Sequence, residues 1–246
     1  MADTPASTLD PAEIEKFSAL AAEWWNPNGP FKALHRINPA RLGFIRDLAV
    51  SHFATQPGPP LAGLRVLDLG CGGGLVSAPL ARMGADLLAV DASAQAIGAA
   101  AAHAAEAGLD IAFECTSAEA LAASGAEFDL VTALEIVEHV GDLSAFLAAA
   151  SCLVKSGGLL VISTINRTPA ARALAIVGAE RILKWAPVGA HDYDKLVTPG
   201  EIVAGARDLK WDDPVGITYN RLGAGWALSR DVSVNYLMAG RRPKAR

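Results

Sequence analysis

Between Leu64 and Ile165 short apolar runs alternate with longer stretches whose apolar positions recur at helical spacing. The first run, Val66, Leu67 and Leu69, is broken by Asp68 and ends at a glycine cluster. Leu75 to Met83 reads as helix, and a second apolar run closes on Asp91. Ser93 stands where an N-cap belongs, ahead of an alanine-rich helix to Ala107 that Gly108 ends. Ile111 to Cys115 and Phe128 to Leu134 predict a third and a fourth strand. Asp142 to Val154 predicts a helix, Gly157-Gly158 a turn, and Leu159 to Ile165 a fifth strand. Two late strands, Trp211 to Tyr219 and Val232 to Ala239, complete a seven-stranded set. Strands alternating with helices predict an α/β fold: a mostly parallel sheet with helices on both faces.

The ends of the chain follow other patterns. Residues 1–9 are small and polar and predict a disordered tail. Asp10-Pro11-Ala12-Glu13 is a helix start with a cap, a proline at the first position and an acid to close a capping box. Ile14, Phe17, Leu20 and Trp24 then recur at helical spacing until Asn26-Pro27 stops the helix. Trp24 belongs to that stripe and is expected in the core, whereas Trp25 lies off it and is free to line a pocket. A second helix is predicted from Pro39 to Phe53, and 56–63 is a Pro/Gly linker. Residues 10–246 therefore read as a single domain, with a helical cap over 10–60 and a helical insert over 166–199. Within the insert, Leu174, Gly178, Ile182 and Trp185 share one side and Glu180, Arg181 and Lys184 the other, a pattern that suits either a half-buried helix or an interfacial one. The basic tail after Ala239 is expected to fray.

Composition narrows the function classes. A chain of 246 residues that is 52% hydrophobic supports one substantial core. Net charge is −5, so no overall basic field attracts nucleic acid. Cys71, Cys115 and Cys152 show no paired spacing, which points to a reducing compartment without disulfides or a zinc site. The first residues lack a charged start followed by an apolar core, so a cytoplasmic location is expected.

The glycine cluster carries the first chemistry. Gly70, Gly72 and Gly74 let the backbone turn tightly between a strand and a helix and admit a ligand closely. Asp91 closes the next strand, where a carboxylate grips a ribose diol. A dinucleotide fingerprint needs a third glycine three residues after the second, and that position is Leu75. Glu135, Glu138 and His139 supply the second chemistry. If the chain enters a helical turn after the fourth strand, the three share one face. They then suit a divalent cation such as Mg²⁺; alternatively, His139 acts as a general base. Both roles stay open. His191 is a further candidate base, with an ordinary loop histidine the simpler reading.

VLDLGCGGG resembles the S-adenosylmethionine loop of class I methyltransferases, which have a Rossmann-like fold. That resemblance implies S-adenosylmethionine as cofactor, with Asp68 beside its amino group, Gly70, Gly72 and Gly74 beneath the methionyl part, and Asp91 on the ribose. Ala118 and Glu119 are similar to the family's adenine-side contacts. EIEKFSALAAEWWNPNGPFKALHRINPARLGFI, EIVEHV, STINRT, VGAERIL and DVSVNYL together resemble the ubiquinone-biosynthesis O-methyltransferase family over nearly the whole chain. This wider resemblance implies methyl transfer to phenolic hydroxyls of polyprenylated phenols and quinols at two pathway steps. It also implies cofactor contacts at Arg41, Gly70, Asp91 and Leu134, and metal ligands at Glu135, Glu138 and His139. A polyprenylated acceptor implies peripheral contact with membrane lipid on the inner face, and with other quinone-biosynthesis enzymes. Rival readings are a methyltransferase for a soluble phenol and a non-catalytic subunit of a quinone-synthesis assembly.

Overall fold

The computed structural model describes residues 8–54, 58–173, 192–220 and 225–244. Helix α1 (Pro11–Ala19) and a 3-10 turn (Ala21–Glu23) precede the long helix α2 (Lys32–Phe53). Then come β1 (Arg65–Leu69), α3 (Ser77–Arg82), β2 (Asp86–Asp91), α4 (Ala94–Glu106), β3 (Ala112–Cys115), α5 (Ala118–Ala123) and β4 (Phe128–Leu134). A 3-10 turn (Val137–His139) leads to α6 (Leu143–Cys152), β5 (Val154–Ile165) and the short α7 (Pro169–Ala171). A last 3-10 turn (Tyr193–Lys195) precedes α8 (Pro199–Gly205), β6 (Lys210–Trp211), β7 (Val215–Asn220), β8 (Gly225–Ser229) and β9 (Asn235–Arg241).

The strands form one sheet in the order β3-β2-β1-β4-β5-β9-β7-β8, with β6 paired to β9. Neighbours from β3 through β5 are parallel, and β9 runs antiparallel to β5. After β3 the chain crosses back to place β4 on the other side of β1. The strand order reverses there, which opens a crevice at the carboxyl ends of β1 and β4.

Period-two alternation decides which face each strand residue serves. Leu67, Leu69, Val131, Ala133, Leu160 and Ile162 join one core with α6 residues Phe146, Leu147 and Ala150. Val66, Leu130, Leu159 and Val161 join the other, with Ile45 and Ala49 of α2 and Leu80 of α3. Both faces are covered, so the central strands read as continuous apolar runs.

Several expectations change. Among the described residues the sheet has nine strands rather than seven. The late segment 211–219 divides into β6 and β7, and β8 adds an edge strand. Gly157-Gly158 is not a turn between elements. It lies within β5, where the register with β4 shifts as a bulge. Helix α2 begins at Lys32 and holds Pro39 in its interior, where the ring removes one backbone donor. Thr8 and Leu9 do not belong to a disordered tail: the Thr8 hydroxyl donates to Glu119, its carbonyl accepts from Gly141 N at 2.6 Å, and Thr8 is buried. The basic end does not fray at once, because Arg242 donates to Ser151 O at 2.6 Å and pairs with Asp208 at 2.7 Å. The apolar side of the predicted amphipathic helix, and His191, lie outside the described residues.

α8 approaches α6 closely enough to exclude a side chain. A Cβ on Gly205 would lie 2.4 Å from Leu147 Cδ1 and 2.9 Å from its Cβ, and Leu147 is buried in the core. Gly205→Ala is therefore expected to destabilise the fold by about 1–3 kcal/mol through overpacking. Urea denaturation of the two proteins measures this; an unchanged midpoint would show that the helices can part freely.

Candidate active site

The site begins where β1 runs into the glycine loop. Gly70, Gly72 and Gly74 have φ of +68°, +52° and +83°, the left-handed region in which a Cβ is strained. Space adds a second constraint. A Cβ on Gly70 would meet Ile136 at 2.8 Å, and Cβ atoms on Gly72 and Gly73 would meet the Trp24 ring at 2.4 and 2.2 Å. Trp24 lies against the loop, stacked on Phe31 with ring centroids 3.7 Å apart. Trp25 donates its indole N–H to Gly73 O at 2.8 Å and stacks on His103. Trp24 is buried in a small core with Phe31 and Leu75, as expected, and one side of it also lines the pocket, whereas Trp25 props the loop and is not among the pocket walls.

Asp91, at the end of β2, accepts from Gly72 N at 2.9 Å through one oxygen and from Ser93 N at 2.8 Å through the other. Each carboxylate oxygen keeps a second acceptor position. Burial raises the Asp91 carboxyl above its ordinary range, against the amide hydrogen bonds. Asp68, within β1, is buried and accepts from Ser77 at 2.6 Å and Thr132 at 2.8 Å. Burial pushes its carboxyl up to about 6.

Beyond β4 the backbone turns sharply, because Glu135 takes φ of +54°. Glu135 accepts from Ser163 at 2.6 Å and faces the Arg41 guanidinium at 3.3 Å. Arg41 reaches it from the buried stripe of α2, Ile37, Arg41, Ile45 and Ala49, and also donates to Asn38 at 2.7 Å. Desolvation lowers the Arg41 pKa, with Glu135 opposing. Glu138 packs into the core beside the Thr164 hydroxyl, and burial pushes it up to about 7. His139 turns the other way. Its Nδ1 lies 3.0 Å from Glu13 Oε2, and Phe17 meets the ring edge-on at 4.9 Å. The imidazole holds Glu13 down at about 2.

A cavity of about 840 Å³, counted to its open mouth, joins these parts. Of the residues singled out in the sequence, Gly70, Gly72, Asp91, Ala118, Glu135 and His139 line it. Arg41, Asp68, Gly74, Glu119, Leu134 and Glu138 are not among its walls. Arg41 and Asp68 stand behind the walls as buried support, Glu119 holds Thr8, and Leu134 belongs to the core on the α2 side. The outer wall, from Thr8 to Phe17, lies outside the residues that the sequence marks for the site. Its signal in the sequence was only the apolar pair Ile14 and Phe17.

The cavity fits an adenosine-bearing cofactor. It has a loop that faces it with Gly70 and Gly72, which carry no Cβ, a carboxylate with acceptor positions to spare, and an apolar flank of Val90, Ala96 and Phe146. A divalent cation does not fit Glu135, Glu138 and His139 as arranged. The bend at Glu135 removes them from a common helical face: Glu135 is taken up by Ser163 and Arg41, His139 by Glu13, and the buried Glu138 carboxylate has no hydrogen-bond partner among the described residues. Among the described residues no group of three His, Cys, Asp or Glu side chains is placed to hold a metal ion.

Residues 67–162 match the family described as "Methyltransferase domain". The chain is 49% identical to the ubiquinone biosynthesis O-methyltransferase of Brucella ovis over 99% of its own length and 100% of the relative's. It is 47% identical to the Sinorhizobium medicae protein of the same name over the same shares. Among solved structures it resembles magnesium protoporphyrin IX methyltransferase from Synechocystis PCC 6803 with bound SAH. The TM-score is 0.61 at 20% identity, covering 94% of this chain and 93% of the other, a likeness of fold.

Asp68 gives a stability signature. Its folded pKa, about 6, lies above the ordinary 3.8. Below the ordinary value both states are protonated and the contribution is fully present. It is lost as pH rises from about 4 to about 6, where the unfolded chain ionises first. Asp68→Asn is expected to be more stable than the wild type above pH 6, with the gap closing towards pH 4. Denaturation midpoints across this range test it; a gap independent of pH would place the Asp68 pKa at its ordinary value.

Proposed function

The chain belongs to the ubiquinone biosynthesis O-methyltransferase family, and on that premise we propose that its glycine-loop pocket holds S-adenosylmethionine while a phenolic hydroxyl of a polyprenylated ubiquinone precursor meets it beside His139. The protein is an S-adenosylmethionine-dependent O-methyltransferase of ubiquinone biosynthesis. The observation that carries the site assignment is the meeting of Gly70, Gly72, Asp91 and His139 in one cavity at the switch point of the sheet.

When bound, S-adenosylmethionine supplies an electrophilic methyl group on a sulfonium sulfur. The chain supplies position and proton handling. Asp91 holds the ribose hydroxyls with the acceptor positions its backbone partners leave over. Gly70 and Gly72 admit the methionyl portion, and Asp68 sets the negative potential behind them. Ala118 flanks the adenine. Phe17, Trp24 and Phe146 exclude water, which orients the acceptor and strengthens the local electrostatics. With Nδ1 held by Glu13, the other ring nitrogen of His139 is the one left for the phenolic proton. Glu135 keeps Arg41 neutralised beneath the site.

Precursors at the polyprenyl hydroxyphenol and demethylubiquinol steps carry tails that partition into lipid. Such tails favour a reading in which the enzyme works against the membrane surface, on the cytoplasmic face, within reach of other quinone-biosynthesis enzymes. No helix of the described residues is long and apolar enough to cross a membrane.

Methyl transfer from labelled S-adenosylmethionine to a short-tailed catechol tests the assignment. Asp91→Asn is expected to weaken binding of S-adenosylhomocysteine about tenfold to a hundredfold, the worth of charged hydrogen bonds to the ribose. His139→Ala is expected to lower kcat by about a hundredfold with the cofactor affinity retained. Full activity in His139→Ala would remove the histidine from proton transfer. Unchanged binding in Asp91→Asn would move the cofactor elsewhere.

A further inference from the structure

The outer wall of the pocket does not come from the sheet and its crossovers. Thr8, Leu9, Asp10, Glu13, Ile14 and Phe17 form it, from a segment lying across the carboxyl edge of the strands. Contacts with that edge hold the segment down. The Thr8 hydroxyl donates to Glu119, Gly141 N donates to Thr8 O, Ser18 and Ser93 hydroxyls lie 2.6 Å apart, and Glu13 takes His139 Nδ1. A cofactor seated on Gly72 and Asp91 has this segment as its outer wall.

One further tie comes from the far end of the chain. Lys195 Nζ lies 2.9 Å from Asp10 Oδ2 and 3.5 Å from Glu13 Oε1. We propose that Lys195 is a positioning residue that clasps the first turn of α1 over the pocket, and so governs how fast the spent cofactor escapes. The proposal rests on the reading that this pocket holds S-adenosylmethionine.

The two ends of the clasp are set up differently. Lys195 stands on anchored backbone. The next residues, Leu196 and Val197, are buried; Val197 N donates to Ile165 O at 3.3 Å, and its carbonyl accepts from the Tyr236 hydroxyl at 2.8 Å. The lid side is lighter, since no residue of α1 is fully buried. Asp10 divides its two oxygens between tasks. Oδ1 caps α1 by accepting from Ala12 N at 3.0 Å, and Oδ2 takes Lys195. Glu13, predicted to turn back and close a capping box, instead spans Lys195 and His139. One ammonium thus holds both the start of the lid helix and the carboxylate that orients the imidazole. The Lys195 side chain is 38% exposed, so the pairs are weak in the global stability. Their effect falls on the local opening of a lightly packed segment.

The test is the release rate of S-adenosylhomocysteine, followed in a stopped flow by the fluorescence of Trp24 in the pocket wall. Lys195→Met is expected to release it about three- to tenfold faster, the effect of losing two partly exposed pairs. Its thermal midpoint should stay near the wild-type value. Lys195→Arg is expected to restore slow release. High salt should speed release in the wild type more than in Lys195→Met. Should Lys195→Met not fold, Asp10→Asn carries the test, because asparagine caps a helix as well as aspartate and removes only the charge. A wild-type release rate in Lys195→Met or Asp10→Asn would overturn the clasp. The same rate change with a matching loss of global stability would also overturn it, since that is what a merely structural lysine produces. Failure of the pocket assignment looks different: S-adenosylhomocysteine then binds with equal affinity to the wild type and Asp91→Asn.

Discussion

A buried guanidinium sets the terms for the site. Arg41 occupies a position on α2 that the helical repeat assigns to the core, between Ile37 and Ile45. A charge there must be met by another, and breaking such a pair costs about 3–5 kcal/mol because it strands the survivor. Glu135 meets it, and to do so the chain bends at the end of β4 with φ of +54°. That bend ends the strand, aims Val137–His139 across the crevice and brings His139 to the pocket. The helical cap and the sheet are thus joined by electrostatic necessity beside the pocket.

The glycine loop shows a similar coupling through packing. Its glycines meet two requirements at once: left-handed backbone, and room for Trp24 and Ile136. The cap residue Trp24 presses on the loop from one side while Asp91 holds Gly72 N from β2. The cofactor surface is shaped by elements on either side of the loop in sequence, and neither suffices alone.

The N-terminal segment closes the arrangement. Glu13 sits between a lysine, Lys195, and an imidazole, His139, so the lid's position and the imidazole's orientation depend on one carboxylate. Orientation of an imidazole by a carboxylate is a familiar physical device. Here the carboxylate is carried on the segment proposed as the lid.

Much of this fold was legible in the residues. Phe128 to Leu134 is a strand with the predicted ends, and Ser93 and Asp142 cap the helices they precede. These features are local: period-two apolar runs, caps and glycines state their own conformation within a few residues. The glycine loop and Asp91 were legible for the same reason, being one strand–turn–helix–strand unit. What the sequence could not decide was separated along the chain. His139 meets Glu13 across 126 positions, and Lys195 meets Asp10 across 185. Whether Glu135, Glu138 and His139 share a face depended on one backbone angle, set by an arginine on a different helix. Propensity and spacing describe what a segment does alone. The choice of partner for each buried charge belongs to the tertiary structure, because only there is water excluded and pairing compelled.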